Sequence, residues 1–459
     1  MKFDPYRPIC RYITMPLWAK WEKSSYLKHL KFQKQFQYEA LEVIERFQFD
    51  QIRKLIAHAY NNSPFYNELY ASNHIHPRDI KFWKDVEQLP IITKKLVREN
   101  QKKMLAGGIP ETNLVPGMTS GSTGKPLHFF SDEAGSQKER ASIILIQEWA
   151  GHHLGGKLFS MFGQSTSAKK NGSFKKLLRK KLLSRSHNLS TLRLTETSMA
   201  EFYHLLKNHR KPFIYGYAHT LFLFAEFLEK NNWCDVNAGG ILSGGMVLYD
   251  HQRRKIENIF NCGVTDNYGC EEFGVIASEC EQHHGLHINA ANKYIEILKE
   301  NGQKAPAGEA GNIIVTSLTN YGMPFIRYRI EDKATASDRC CSCGRGYPLL
   351  EKIDGRESDF IVTPEGTMVS GISLTDNFGA KIPGVDQIQL IQDKTDHIIL
   401  KTVKNESFNE NSLEAAKDLN NSFFGKNMKF TFDFVDEIPP SPGGKTRFVI
   451  SKIKSEDRA

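Results

Sequence analysis

Between Tyr26 and Tyr60 the apolar residues Leu41, Ile44, Ile52, Leu55, Ile56 and Ala59 recur at three- and four-residue spacing among Lys, Glu and Gln. That period predicts amphipathic helix. Ser63-Pro64 breaks the pattern, and Leu89-Pro90-Ile91-Ile92-Thr93-Lys94 turns and opens another helical stretch. From Leu114 to Phe434 short apolar runs alternate with helical ones, at 143–149, 157–162, 199–207, 213–217, 220–229, 239–242 and 312–315. Strands alternating with helices predict an α/β architecture with a largely parallel sheet. Around Asp354 to Pro364 the text changes: Gly355, Ser358, Pro364 and Gly366 cluster as a connection. Beyond it, 386–391 and 397–403 read as a hairpin, 412–423 as a helix, and 429–435 as a strand alternating Phe430, Phe432 and Phe434. A small α+β domain of about a hundred residues is expected to close the chain.

Length agrees with more than one domain, since 459 residues exceed what a single hydrophobic core usually supports. The first twenty residues mix Lys2, Asp4, Arg7, Arg11 and three prolines into their apolar text, leaving no continuous signal-peptide core. No stretch reaches the roughly 18 apolar residues of a spanning helix. Eight cysteines without a leader suit a reducing compartment, where clustered cysteines more often bind metal than pair. The expected location is the cytoplasm. The net charge of +9 is modest for this length, and much of the excess lies in Lys169 to Arg185. That run reads as a solvated helix face, or as a basic amphipathic segment that touches anionic lipid at the inner face of the membrane, or a phosphorylated substrate. A nucleic-acid-binding reading rests on the same charge and explains no motif, so no nucleic-acid partner is expected.

The most informative segment is TSGSTGKP, comprising Thr119, Ser120, Gly121, Ser122, Thr123, Gly124 and Lys125 before Pro126. Glycines let backbone N–H groups approach an anion, hydroxyls donate to phosphate oxygens, and Lys125 adds a positive charge. A flexible surface loop would have a similar composition. The Walker pattern is not met, because Thr119 stands where its first glycine belongs and Pro126 follows the lysine.

Letter for letter, the string resembles the phosphate loop of the adenylate-forming superfamily. Later segments resemble its phenylacetate–coenzyme A ligase-like branch, including CapK-like proteins, in the expected order. Asn267 precedes Tyr268-Gly269-Cys270-Glu271-Glu272, which is similar to the YGxTE motif, with Glu271 in the usual threonine place. The resemblance implies that Tyr268 and neighbouring backbone face adenine or substrate and that Glu272 helps bind Mg²⁺. Arg327-Tyr328-Arg329-Ile330-Glu331-Asp332 resembles IRYRTGD, with Ile330-Glu331 replacing Thr-Gly, and implies a ribose-binding role for Asp332. Gly355-Arg356-Glu357-Ser358-Asp359 resembles the hinge between two domains, Arg356 commonly contacting ribose or phosphate. Ser441-Pro442-Gly443-Gly444-Lys445-Thr446-Arg447 resembles the C-terminal motif that carries the catalytic lysine, here Lys445. Tyr215, Tyr217 and Met246 fall where the family has its acyl pocket, and Gly244-Gly245 flank the adenine, Gly245 departing from the family's glutamate.

The resemblance implies a large adenylation domain over 1–355, α/β with mixed or parallel sheets and with 1–90 a mainly helical lead-in, and a small mobile α+β domain over 356–459 carrying Lys445. It also implies ATP and Mg²⁺, a small carboxylic acid, and coenzyme A or a sugar intermediate as acceptor, in a setting such as capsule or surface polysaccharide synthesis. A non-catalytic nucleotide-binding partner in glycan assembly is the rival, against which the retention of Lys125, Glu272, Asp332 and Lys445 weighs.

A second constellation comprises Cys280, His287, Cys341 and Cys343. Three thiolates and an imidazole suit a closed, structural zinc site. Cys340 in place of Cys341, His283 or His284 in place of His287, and free thiols are the alternatives.

Overall fold

The computed structural model describes residues 4–119, 127–163, 178–179, 182–183, 185–191, 194–354, 360–371, 374, 378, 381–438 and 448–453. The predicted 26–60 helix divides into Tyr26–Phe36 and Leu41–Asn62. At the break Gly346 N–H donates to Gln37 O, and the Glu39 carbonyl lies where a Cβ on Gly346 would stand, so the corner is fitted against a distant segment. Helices Pro64–Ser72 and Lys94–Met104 follow.

The strands, in chain order, are β1 (Leu114–Met118), β2 (His128–Asp132), β3 (Leu158–Phe162), β4 (Ser186–Ser190), β5 (Phe213–Tyr217), β6 (Gly240–Gly244), β7 (Val264–Cys270), β8 (Gly274–Ser278), β9 (Leu286–Ile288), β10 (Lys293–Leu298), β11 (Ala310–Ser317), β12 (Tyr328–Ala336) and β13 (Leu349–Asp354). β1 and β2 form an antiparallel hairpin. The other eleven form one sheet in the order β10-β11-β12-β13-β9-β8-β7-β6-β5-β3-β4. The sheet is mixed, and half of it is the parallel run that the alternation of strands and helices predicts. β4, β3, β5, β6 and β7 are parallel neighbours, whereas every pairing from β7 through β8 to β10 is antiparallel. The difference follows from the connections: helices 196–207, 218–230 and 250–260 supply the crossovers that parallel strands need, and no helix lies between β7 and β13.

Helix starts are locally specified. Thr195 Oγ1 accepts from Ser198 N–H at 3.1 Å while Ser198 Oγ accepts from Thr195 N–H at 3.0 Å, a reciprocal cap for Glu196–Lys207. Asp132 caps Glu133–Trp149 through Gly135 N–H at 2.7 Å, and its other oxygen takes the N–H groups of Tyr321 and Gly322 at 2.6 and 3.0 Å. One carboxylate thus joins the β1–β2 hairpin to the turn after β11.

Two large cores lie against the sheet. The 196–207, 218–230 and 250–260 helices pack Phe202, Leu221, Phe224 and Phe260 with the parallel strands. The Leu41–Asn62 and Lys94–Met104 helices pack Ile56 and Val97 with Ile313, Phe325 and Tyr328 of the antiparallel half.

A smaller α+β domain has its own core, drawn from residues 361–449, around a sheet in the order β18-β17-β16-β19. Its strands are β14 (Phe360–Val362), β15 (Met368–Ser370), β16 (Val385–Lys394), β17 (His397–Lys404), β18 (Lys429–Phe434) and β19 (Val449–Ser451), with the helix Glu410–Phe424 before β18. The β16–β17 hairpin, the helix and β18 stand where the sequence pattern puts them. Among the described residues, no helix is long and apolar enough to cross a membrane.

Gly240, which opens β6, has no room for a side chain: a Cβ there would stand 1.8 Å from the Ala150 carbonyl oxygen, backbone against backbone. Gly240→Ala is expected to cost about 1–3 kcal/mol, seen as an earlier midpoint in urea unfolding; an unchanged midpoint would contradict this packing.

Candidate active site

The parallel pairing of β5, β6 and β7 stops on one line. In their register Tyr217 on β5 pairs with Gly244 on β6, which pairs with Asn267 on β7. The expected adenine-flanking and acyl-side residues therefore share one line across the carboxyl ends of adjacent strands, where open α/β sheets usually place ligands. Tyr215 lies two residues earlier on β5, and the Phe162 ring meets Tyr215 and Tyr217 edge-on at 4.7 and 4.8 Å. Burial holds the Tyr215 phenol above its ordinary range, so it stays protonated. Met246, partly buried, packs toward the helices behind β6.

The glycines here are dictated by space. Gly245 has φ +70°, and a Cβ on it would meet the Tyr217 ring at 2.8 Å. The glutamate that the family resemblance expects would be strained at this backbone and would collide with the aromatic wall. A Cβ on Gly269 would stand 2.3 Å from the Gly274 carbonyl oxygen, so the β7–β8 turn closes over a bare backbone.

That turn is tied to β12 at two points. Tyr268 Oη donates to Asp332 Oδ2 at 3.0 Å, and Tyr328 Oη donates to Glu272 Oε1 at 3.3 Å. Tyr328 is buried, and burial together with the Glu272 carboxylate pushes its phenol far above the ordinary range. It therefore remains a donor and fixes one oxygen of Glu272. Glu271 is exposed, and its carboxylate is near enough to Tyr215 to help raise that phenol. Asp266, one residue before Asn267, accepts from Ser243 Oγ at 2.6 Å, and burial and the Glu279 carboxylate push its pKa up to about 6.

Two positions in the β12 segment have left-handed backbone, Arg327 (φ +51°) and Glu331 (φ +70°). Glu331 occupies the place of the family motif's glycine, so the substitution keeps a conformation that glycine adopts without strain. Arg327 is not a ligand-facing arginine: its guanidinium is buried, with Nε and Nη2 on Glu296 at 2.9 and 2.8 Å and Nη1 on the carbonyls of Glu87 and Leu89. It locks β12 to β10 and to the end of the helical lead-in. Tyr328, which the motif reading passed over, supports the site; its position beside the Arg327-Arg329 pair was the available signal.

Thr119 is buried, its N–H donating to Leu127 O at 2.9 Å and its Oγ1 accepting from Leu127 N–H at 3.0 Å. These bonds close the stem of the β1–β2 connection. Ser120, Gly121, Ser122, Thr123, Gly124 and Lys125 lie outside the described residues, as do Arg356, Ser358, Asp359 and Lys445.

The second constellation does assemble. The ligand atoms of Cys280, His287, Cys341 and Cys343 all lie within 4.8 Å of one another, with Cys280 Sγ to Cys341 Sγ at 3.6 Å and Cys343 Sγ to His287 Nε2 at 3.3 Å. Zinc–sulfur bonds of about 2.3 Å put tetrahedral sulfurs about 3.8 Å apart, so this cage is of the right size. His287 Nδ1 bonds the Tyr347 carbonyl at 3.0 Å, which makes Nδ1 the protonated nitrogen and leaves Nε2 its lone pair toward the cysteines. Arg345 N–H meets Cys343 Sγ at 3.5 Å, and its guanidinium is paired with Glu281 at 2.9 and 3.0 Å. Cys340 is exposed and outside the cluster, and His283 bonds Glu279 instead, at 3.1 Å. His284 is likewise outside it.

Comparison with known proteins bears on both halves of the chain. Residues 361–452 match the CapK C-terminal domain. Protein CapK of Staphylococcus aureus is 27% identical over 402 residues, covering 86% of each chain. Over most of its length the chain is similar to protein CapK and to phenylacetate-coenzyme A ligases. Phenylacetate-coenzyme A ligase of Pseudomonas putida is 23% identical over 70% of this chain and 73% of its own. In fold, the chain superposes on a 2-hydroxyisobutyryl-CoA ligase, crystallised with 2-HIB-AMP and CoA, with a TM-score of 0.61 at 18% identity over 91% of each chain. An open conformation of that ligase gives 0.54 at 20% identity over 88% of this chain and 90% of its own.

The cage predicts a measurable metal. Wild-type protein purified without chelator is expected to contain zinc in stoichiometric amount, and Cys341→Ser to lose it and melt earlier, because three remaining ligands bind weakly. Metal-free wild-type protein with an unchanged melt would remove the four-ligand site.

Proposed function

We propose that the protein activates a carboxylic acid as its acyl-AMP at the expense of ATP, releasing pyrophosphate, and then transfers the acyl group to coenzyme A or another acceptor. The observation that carries this reading is the line Tyr217–Gly244–Asn267 at the strand ends, beside a β7–β8 turn that Tyr268 and Tyr328 tie to Asp332 and Glu272. The similarity to phenylacetate-coenzyme A ligases over 70% of the chain supports it.

In this reading Gly244, Gly245, Asn267, Tyr268 and Gly269 face the adenine, and Asp332 accepts both ribose hydroxyls, a task suited to a carboxylate. Tyr215, Tyr217 and Met246 border the acid, so its size is set by the space beside two rings held by Phe162. Ser120, Gly121, Ser122, Thr123, Gly124 and Lys125, hung from the Thr119–Leu127 stem, hold the phosphates, and Arg356 contacts ribose or phosphate. The carboxylate oxygen forms a bond to the α-phosphorus as the bond to pyrophosphate breaks. Negative charge grows at that phosphorus, so donors and cations must be fixed beforehand. Lys445 supplies such a cation. Mg²⁺ would add a second, held in part by Glu272, whose geometry fits because Tyr328 already orients its carboxylate. The acceptor's nucleophile then attacks the acyl carbon and AMP leaves.

Two bodies are proposed, 1–355 and 356–459, with 1–90 as the lead-in; the separate core within 361–449 supports this division. Movement about residues 356–359 would bring Lys445 in for the first step and remove it for the second. Cys280, His287, Cys341 and Cys343 would hold a structural zinc with no open position. Substrates of this kind place the enzyme in the cytoplasm. The similarity to CapK directs the search for an acceptor toward capsule or surface polysaccharide intermediates.

ATP–pyrophosphate exchange across a panel of carboxylic acids tests the reading. With the responsive acid, Lys445→Ala is expected to lower exchange by about 10²–10³-fold. Tyr268→Phe, which removes one hydrogen bond from Asp332, should raise the KM for ATP roughly fivefold, the equivalent of about 1 kcal/mol, with little change in kcat. No exchange with any acid, together with no effect of Lys445→Ala, would sink the proposal and leave nucleotide binding without catalysis.

A further inference from the structure

A cavity of about 670 Å³ opens at the base of the β1–β2 hairpin, between Leu114 and Val115, the first turns of the helix Glu133–Trp149 and the turn after β11. Ile109, Leu114 and Val115 give it an apolar wall, and Glu133, Lys138 and Tyr321 bring charged and polar groups to it. None of Tyr217, Gly244 and Asn267 lines it. The hairpin register runs from Leu114 opposite Asp132 at this end to Met118 opposite His128 at the other. Four strand steps, about 13 Å, therefore separate the cavity from the stem that carries the phosphate-loop string.

Lys138 is the anomaly of this cavity. It is half-buried, burial holds its ammonium below the ordinary lysine range, and among the described residues that ammonium has neither an ion pair nor a hydrogen bond. Lysines taken out of water are ordinarily paired. The carboxylates nearest to it in the chain are engaged elsewhere. Asp132 gives one oxygen to the Gly135 N–H and the other to those of Tyr321 and Gly322. Glu139 holds the ammonium of Lys293. Glu133 is exposed at the rim and takes only the Gln137 amide of its own helix, on Oε1. It borders the same cavity as Lys138 without pairing with it. Tyr321 Oη likewise has no hydrogen-bond partner among the described residues. Burial and the Asp132 carboxylate raise that phenol above its ordinary range, so it stays a donor.

Two opposite charges that border one space without meeting suit a ligand that carries both in reverse. A simple anion would face Asp132 and Glu133, and a simple cation would face Lys138. From these observations we infer that the cavity binds an α-amino acid as its zwitterion. The carboxylate sits on the Lys138 ammonium and the Tyr321 hydroxyl, the ammonium on Glu133, and a large apolar side chain against Ile109, Leu114 and Val115. The volume lies within the usual range for small-molecule sites, about 300–1,000 Å³, and leaves room for an aromatic side chain. The inference is independent of the ligase reading and concerns a different part of the molecule.

Calorimetric titration of the full chain at neutral pH tests it, using L-phenylalanine, 3-phenylpropanoate, which lacks the ammonium, and 2-phenylethylamine, which lacks the carboxylate. L-phenylalanine is expected to bind more tightly than either analogue. The loss should be roughly 10- to 100-fold for 2-phenylethylamine, which leaves Lys138 unpaired. It should be about two- to fivefold for 3-phenylpropanoate, which forgoes only the exposed Glu133. Lys138→Met should weaken L-phenylalanine by the same factor of roughly 10 to 100, and Glu133→Gln by about two to five. Should Lys138→Met fail to fold, Glu133→Gln and the analogue series on wild-type protein decide the matter. Absence of binding, or an analogue that binds as tightly as L-phenylalanine, would overturn the inference. So would binding that folded Lys138→Met leaves unchanged, which would assign the amino acid to another site.

Discussion

The register of β7 is the constraint on which the candidate site depends. This strand is the last of the parallel set and the first partner of the antiparallel set, so its two edges face different architectures. On the β6 side it fixes Asn267 opposite Gly244. On the other, the β7–β8 turn carries Tyr268 to Asp332 and Glu272 to Tyr328. A slip of one residue would turn Asn267 and Tyr268 to opposite faces and undo both relations. Buried polar contacts make that slip costly: Asp266 holds Ser243 on β6, and its N–H donates to Glu279 at 2.9 Å.

Much of this was legible in sequence because the telling residues lie within a few positions of one another. The Tyr268–Glu272 segment and the C-terminal hairpin, helix and strand are local patterns; the phosphate-loop string past Thr119 lies outside the described residues. What escaped was non-local. The alternation of apolar runs gave no warning that β8 to β13 turn antiparallel, because strands buried on both faces lose their two-residue period; β11 is buried along nearly its whole length. Arg327 stands in a motif but serves Glu296, 31 residues away, and Tyr328 finds Glu272 across 56. No spacing rule foretells such pairs.

The departures from the family pattern divide on physical grounds. Gly245 and Glu331 are settled by backbone and space: one position cannot carry a side chain past Tyr217, and the other keeps a left-handed conformation with a residue ill suited to it. Glu331 lies 3.9 Å from the ammonium of Lys94, itself buried, so the helix that follows the lead-in reaches the strand that carries Asp332. Arg327, through Glu87 and Leu89, connects the lead-in itself to that strand. Residues 1–90 are then more than a prefix.

The cysteine cage belongs to this same chain of dependence. Cys280 directly follows Glu279, whose carboxylate is shared by Arg253 at 2.8 Å, His283 at 3.1 Å and the Asp266 N–H. His287 lies on β9 and pairs with Leu349 on β13, which in turn pairs through its strand with β12. A metal at the cage would therefore brace the two routes that lead to the site, one through Glu279 into β7 and one through β13 into β12. Its loss would be felt first as a loosened tie between Tyr268 and Asp332, and only afterwards as unfolding. That order distinguishes a structural metal that shapes the site from one that merely holds a surface loop.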